Sequence, residues 1–349
     1  RRPSGNLFNY RKLVSYILLL LLFGMPFIKV NGQPFIMFNV LERKFVLFSI
    51  VFHPQDFHLF LFSMLTLLVF IILFTVVFGR IFCGWVCPQT IFMEMVYRRI
   101  EYFIEGDWNA QKKLNEAPWT TEKLLKKTIK QFLFFAIAVF ISNIFLSYII
   151  GYEEVWRIAT EPISMHLGGF IAMIVFSFLF YGVFAFMREQ VCTTICPYGR
   201  LQGVILDPNS IVISYDWLRG EPRGKIKKGA ETDNTSPRGD CVDCGLCIKV
   251  CPTGIDIRNG TQLECVNCTA CIDVCDEVMV KTKRPTGLIR YDSHNGIAKG
   301  ERKIFTPRTI AYSVVLVGLL VLNVILLSNR ADVEALILHT PGTLFQKAE

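Results

Sequence analysis

The 349-residue chain is poor in charge and in histidine: Asp, Glu, Lys and Arg make up 19% and there are 5 His. It has no glycine fingerprint of the type that cradles a nucleotide pyrophosphate, so dinucleotide or ATP binding has no support. It has no C-x-x-C-H, the attachment motif of covalent c-type haem. No A-x-A site follows the first apolar run, which therefore reads as a retained span and not a cleaved signal peptide. None of the 12 Cys stands alone; all fall in spaced motifs. Nothing in the charge pattern suggests nucleic acid. What is abundant is apolar: the chain is 52% hydrophobic with 30 Phe, and its mean hydropathy is +0.42. That exceeds an ordinary soluble domain and points to membrane spans.

Five apolar runs approach the roughly 20 residues a bilayer needs: 13–27, 59–78, 132–150, 167–187 and 309–327. The run 35–52 is interrupted by Glu42, Arg43 and Lys44 and reads as an interfacial or re-entrant segment. With the N-terminus inside, 31 of the 37 Lys and Arg fall on the inner side and 6 on the outer. Basic residues accumulate on cytoplasmic loops, so the expected topology is N-inside and C-outside. Membrane lipids are then obligate partners, with Trp108 and Trp119 as interface anchors. Between spans two and three, 91–104 reads as a helix. The Gly-, Pro- and charge-rich stretch 220–240 reads as a linker, and its Lys/Arg cluster at 223–228 as a solvated or lipid-facing loop.

The densest chemistry lies at 241–275. C-V-D-C-G-L-C-I-K-V-C-P is followed by C-V-N-C-T-A-C-I-D-V-C. Each half is C-x2-C-x2-C-x3-C, the spacing of two-cluster bacterial ferredoxins, in which the fourth Cys of each run ligates the other cluster. The rule assigns Cys241, Cys244, Cys247 and Cys275 to one [4Fe–4S] cluster. It assigns Cys265, Cys268, Cys271 and Cys251 to the second. Three thiolates two residues apart on a tight turn can cover three corners of one cubane. A tetrahedral zinc ion uses four ligands and leaves the remaining cysteines unexplained. Cluster thiolates require a reducing compartment, so this module is expected in the cytoplasm and disulfides are not.

A second cysteine motif occurs twice. Span two ends in R-I-F-C-G-W-V-C-P and span four in R-E-Q-V-C-T-T-I-C-P. Each is an apolar helix, an Arg, then C-x3-C-P. Residues i and i+4 share a helix face, so Cys83/Cys87 and Cys192/Cys196 could each present two thiolates. The Pro would stop or bend a helix there, and Gly84 would permit close approach. Three readings stand: a metal or third cluster held by the four thiols, redox dithiols or soft copper ligands, and small residues packing helix ends. Other polar residues read more plainly. Glu94, Arg98 and Glu101 read as an i,i+4 salt-bridged face, and Asp207 and Asp216 as turn residues. His53, His58 and His166 (beside Met165) read as solvated interfacial side chains in preference to copper ligands.

The expected architecture is mostly α, a polytopic five-span bundle with an inserted cytoplasmic ferredoxin-like α+β module carrying two [4Fe–4S] clusters. The divisions are 1–198 for four spans with both C-x3-C-P motifs, 199–308 for the module, 309–328 for span five, and 329–349 for the start of an extra-cytoplasmic region.

The combination resembles the cytochrome c oxidase accessory protein family CcoG, also called FixG or RdxA. The resemblance is carried by N-G-Q-P at 31–34, P-Q-D-F at 54–57, R-I-F-C-G-W-V-C-P-Q-T at 80–90 and I-E-G-D at 104–107. It continues in R-E-Q-V-C-T-T-I-C-P-Y at 188–198, Y-D-W-L-R-G-E-P-R-G at 215–224, the cysteine runs at 239–258 and 264–279, and G-L-I-R-Y at 287–291. It implies an oxidoreductase, a cupric reductase that turns Cu(II) into Cu(I) for assembly of cbb3-type oxidase. The implied partners are a cytoplasmic electron donor, copper and oxidase-assembly proteins, with an immunoglobulin-like domain after span five. Polyferredoxin subunits of quinol dehydrogenases share both cysteine motifs and supply a rival reading, as does a non-catalytic copper-binding assembly factor.

Overall fold

A computed structural model of the chain describes residues 2–30, 33–39, 44–47, 50–52, 57–225, 239–300 and 303–329. His53, residues 226–238 of the linker and residues 330–349 of the tail lie outside the described residues, as does the side chain of Trp108.

Five helices are long and apolar enough to cross a bilayer: Asn6–Phe27, His58–Phe78, Thr121–Ile150, Leu167–Met187 and Pro307–Ser328. The chain thus has the build of a multi-pass membrane protein. Spans one and three start earlier than their apolar runs. Polar first turns cost nothing in water, and Thr120 caps span three by accepting from the Lys123 amide. Span three packs along span four, and span five along span two. Hydrophobicity cannot choose helix partners inside lipid, so small polar clasps do. Ser142 and Ser177 hydrogen-bond at 2.7 Å between spans three and four. Asn323 of span five donates to Thr66 Oγ1 at 2.7 Å and accepts from Ser63 at 3.1 Å, both on span two. Outward residues such as Leu20, Phe132 and Val314 stay exposed, as lipid contact requires.

The described parts of the interrupted run form a small antiparallel meander: Ile36–Asn39 pairs with Lys44–Leu47, which pairs with Ile50–Phe52. The stretch 91–104 is helical as expected, built from Pro88–Ile91, a π-helical stretch Phe92–Tyr97 and Arg98–Ile104. It sends Phe92 and Tyr97 into an aromatic core shared with spans one, three and four.

In the cysteine-rich module the helices Leu246–Val250 and Ala270–Lys281 lie over an antiparallel strand pair, Val212–Tyr215 with Ile289–Asp292. Its core contains Ile213, Tyr215, Ile257, Ile272, Met279, Leu288 and Ile289, with Cys241 and Cys247 among them. It is fastened to the bundle from several sides. The amides of Leu7 and Phe8 donate to Asp273 at 3.2 and 2.8 Å, so a module carboxylate caps span one. Ser210 donates to the Val76 carbonyl at 2.6 Å, and the Ile211 amide to that of Val77 at 2.9 Å. Replacing Asn323 by Leu removes the clasp between spans two and five. Thermal unfolding in detergent should then show a loss of about 1 kcal/mol with cluster absorbance unchanged.

Candidate iron–sulfur module and membrane-edge thiols

The two cysteine turns have one backbone design. In C-V-D-C-G-L-C the left-handed residues are Asp243 (φ 48°) and Gly245 (φ 63°); in C-V-N-C-T-A-C they are Asn267 (φ 53°) and Thr269 (φ 67°). Asp, Asn and Gly tolerate this region, whereas β-branched Thr269 is held there at a cost. Left-handed residues at every second position can turn successive amides to one side. Such a nest receives an anion, including the anionic iron–sulfur core.

Two adjoining cavities sit in these turns. One is lined by Cys241, Cys244, Cys247 and Cys275. The other is lined by Cys251, Cys265, Cys268 and Cys271, with Cys247 on the wall towards the first. Burial pushes the thiols of Cys247 and Cys265 up to about 11 and those of Cys268 and Cys275 up to about 12. Eight thiolates would be intolerable here without cationic metal, and thiols at these values release protons when metal binds. The donor set, the nests and the crossed lining together fit two iron–sulfur clusters. Among the described residues no three His, Cys, Asp or Glu side chains converge to hold a single ion. The first cavity is the outer one, with Cys244 exposed; Cys268 in the second is buried.

The repeated C-x3-C-P motif is not one helix face. Cys83 lies in the short helix Ile81–Trp85, whereas Cys87 (φ −59°, ψ 122°) is extended and precedes the helix started by Pro88. Cys192 lies in the π-helical turn Val191–Ile195, and Cys196 (φ −67°, ψ 112°) precedes the helix started by Pro197. Proline fits the first turn of a helix, where no amide donor is needed, so it opens the second helix as the first ends. The break brings the two copies together: Cys83 feels the charges of Cys87, Cys192 and Cys196. Burial pushes Cys83 up to about 12, against the pull of Arg80, and Cys192 up to about 11. The Cys83 thiol donates to Gln202 Oε1 at 3.1 Å.

Arg80 joins these thiols to the second cysteine turn. It is 3% exposed. Its guanidinium donates to the Leu263 carbonyl, to the Gly199 carbonyl at 2.7 Å and to Gln202 Oε1 at 3.1 Å. Arg11 does the same from span one, donating to the Gly84 carbonyl at 2.6 Å and the Cys268 carbonyl at 3.3 Å while pairing with Glu94 at 2.5 Å. Gly84 lies flat on the turn: a Cβ there would meet the carbonyl oxygens of Asn267 and Val266 at 2.5 and 2.6 Å. Cys192 packs against the cluster of Val250, Val266, Cys268, Ala270 and Val274. Trp85 donates to the Tyr291 hydroxyl at 3.2 Å, and that hydroxyl donates to the Asn267 carbonyl at 3.3 Å. The second cysteine cavity is therefore the one beside the membrane-edge thiols.

Sequence comparison agrees with this geometry. Residues 187–294 match a family model described as a 4Fe-4S dicluster domain, and residues 60–110 match one described as a 4Fe-4S binding domain. Nitrogen fixation protein FixG of Rhizobium meliloti is 36% identical over 302 residues, covering 83% of this chain and 56% of FixG. Protein RdxA of Cereibacter sphaeroides is 34% identical over 320 residues, covering 89% of this chain and 66% of RdxA. The chain belongs to the FixG/RdxA family. It spans between about half and two thirds of the length of these relatives. No solved structure matches it. As a member of the FixG/RdxA family it is an iron–sulfur electron-transfer protein.

Several residues of this site carried no signal of their own. Arg11 read as one more inner-side basic residue, Arg80 as the Arg of the repeated motif with no partner assigned, and Gln202 as nothing at all. Glu94 and Arg98 do pair at i,i+4, at 3.9 Å. Their closer partners are on other elements: Arg11 for Glu94 and Glu189 for Arg98, while Glu101 meets Arg188 and Lys130. Asp207 and Asp216 are turn and cap residues, accepting from the amides of Asn209 and Arg219. His58 is exposed, and His166 pairs with Glu161 at 2.7 Å. Trp119 is exposed, with Lys123 over its ring. Gly84→Ala sets a Cβ against fixed backbone. Thermal loss of the visible cluster absorbance should shift to lower temperature, equivalent to about 1–3 kcal/mol.

Proposed function

We propose that this chain moves single electrons from a cytoplasmic donor, through two [4Fe–4S] clusters, to Cu(II) at the membrane edge. The product Cu(I) serves assembly of a cbb3-type oxidase. Cys241, Cys244, Cys247 and Cys275 hold the outer cluster; Cys265, Cys268, Cys271 and Cys251 hold the inner one. Bound clusters supply one-electron storage, which matches a one-electron reduction of copper. The chain's own residues fix the order: Cys244 faces solvent and a donor, and Cys192 packs on the inner turn. Cys83, Cys87, Cys192 and Cys196 receive the electron or the copper, since soft thiolates favour Cu(I) over Cu(II).

The observation that carries this reading is the fastening of the inner turn to both C-x3-C-P copies by Arg80. An electron reaching that turn has Cys192 packed beside it, and Cys192 lies among the four C-x3-C-P thiols. The basic-residue bias supports placing the N-terminus and module in the cytoplasm of an inner-membrane protein, with the C-terminus outside. Oxidase-assembly proteins are the proposed partners.

Purified protein supplied with a low-potential donor should reduce Cu(II), read with a Cu(I)-selective chelator. A variant with the eight module cysteines changed to Ser should fall to the uncatalysed rate. Oxidation of a quinol without copper reduction would replace this reading with that of a quinol dehydrogenase subunit.

A further inference from the structure

At the module end of the bundle, apart from the cysteines, is a cavity of about 360 Å³ lined by Arg2, Phe8, Glu94, Arg98, Arg99 and Phe103 among others. It lies where the first turn of span one, capped by Asp273, meets the helix Arg98–Ile104. Its charge is unbalanced. Glu94 is matched by buried Arg11 at 2.5 Å, Arg2 by Asp107 at 2.6 Å and Arg98 by Glu189. Arg99, among the described residues, has no carboxylate partner; it lies over the Tyr16 ring at 5.4 Å and donates to the Tyr16 hydroxyl. Arg2 lies over the Tyr102 ring at 5.5 Å. Arg2 also donates to the Tyr102 carbonyl at 2.8 Å, whereas Arg99 has, among the described residues, besides Tyr16 only the weak Met95 Sδ at 3.8 Å, so the Arg99 fork is the one an anion could engage.

The second feature is apolar. Phe103, on this rim, is 89% exposed. A phenyl ring so bare beside three arginines suits the interface between headgroups and acyl chains better than water. We propose that this cavity binds one acidic phospholipid, its phosphodiester on the Arg99 fork and its acyl chain along Phe103 and Phe8. Arginine pairs bidentately with phosphate, and basic residues at a membrane surface gather anionic lipid. Arg2 and Phe8 belong to the start of span one, whose amides dock on the module. A lipid held there braces the module against the bundle, beside the Glu94–Arg11 pair that reaches the Cys268 carbonyl.

The test uses the full chain in nanodiscs of mixed phosphatidylcholine and phosphatidylglycerol, followed by native mass spectrometry of the released protein. The expected result is one retained phosphatidylglycerol in preference to phosphatidylcholine. Arg99→Gln should lower that retention about tenfold, as loss of a charged fork contact implies. Phe103→Ser is run beside it because so exposed a ring can be removed without disturbing the fold; it too should weaken retention, with cluster absorbance unchanged. Equal retention of both lipids, or wild-type retention in both variants, would overturn the proposal. Displacement of the lipid by inorganic phosphate alone would assign the site to a free anion and overturn the lipid assignment.

Discussion

Arg80 is a buried cation whose hydrogen-bond partners, among the described residues, are neutral acceptors. Burying a guanidinium costs several kcal/mol unless its donors are met. Here they are met by the carbonyls of Leu263 and Gly199 and by the Gln202 amide oxygen. Those acceptors come from the inner cysteine turn and from the helix after the second C-x3-C-P. Removing any one leaves a buried charge short of partners, so bundle, motif and module are stabilised together. Arg11 repeats the arrangement from span one, with Glu94 as counter-charge. Two arginines thus hold one short backbone segment, 263–268, against the membrane face.

That segment explains the asymmetry of the module. Its two halves share the same left-handed positions, but it is the second that Arg11 and Arg80 grip from the bundle. The first half keeps Asp243 and Gly245 in the tolerant residue types, with Cys244 exposed. The second places Thr269 at φ 67° with no exposure. Packing from the bundle side supplies the constraint that keeps a β-branched residue there. The outer half leaves Cys244 exposed, and the inner half is committed to the helix bundle.

The spans and the module cysteines were legible in the sequence because each follows a one-dimensional rule: a run of about 20 apolar residues, or a fixed cysteine spacing. The thiol pairs at 83/87 and 192/196 were legible as a repeat but not in shape. The i,i+4 rule assumes an unbroken helix, and Pro88 and Pro197 begin new ones. The meander at 36–52 was masked by aromatic residues that suit strands and membranes alike. The roles of Arg11 and Arg80 were hidden for a different reason, although Arg80 stood in the repeated motif. A basic residue at the end of a span normally marks topology and meets water or lipid. Only the docked cysteine turn, distant in sequence, gives it acceptors in the interior.

The most direct measurement is a single turnover across the fastened junction. Protein with both clusters reduced is mixed anaerobically with Cu(II), and cluster reoxidation is followed by visible absorbance in the wild type and in the variant with Cys83, Cys87, Cys192 and Cys196 changed to Ser. The account predicts rapid reoxidation with matching formation of Cu(I) in the wild type, and clusters that stay reduced in the variant. Reoxidation of the variant at the wild-type rate would contradict it.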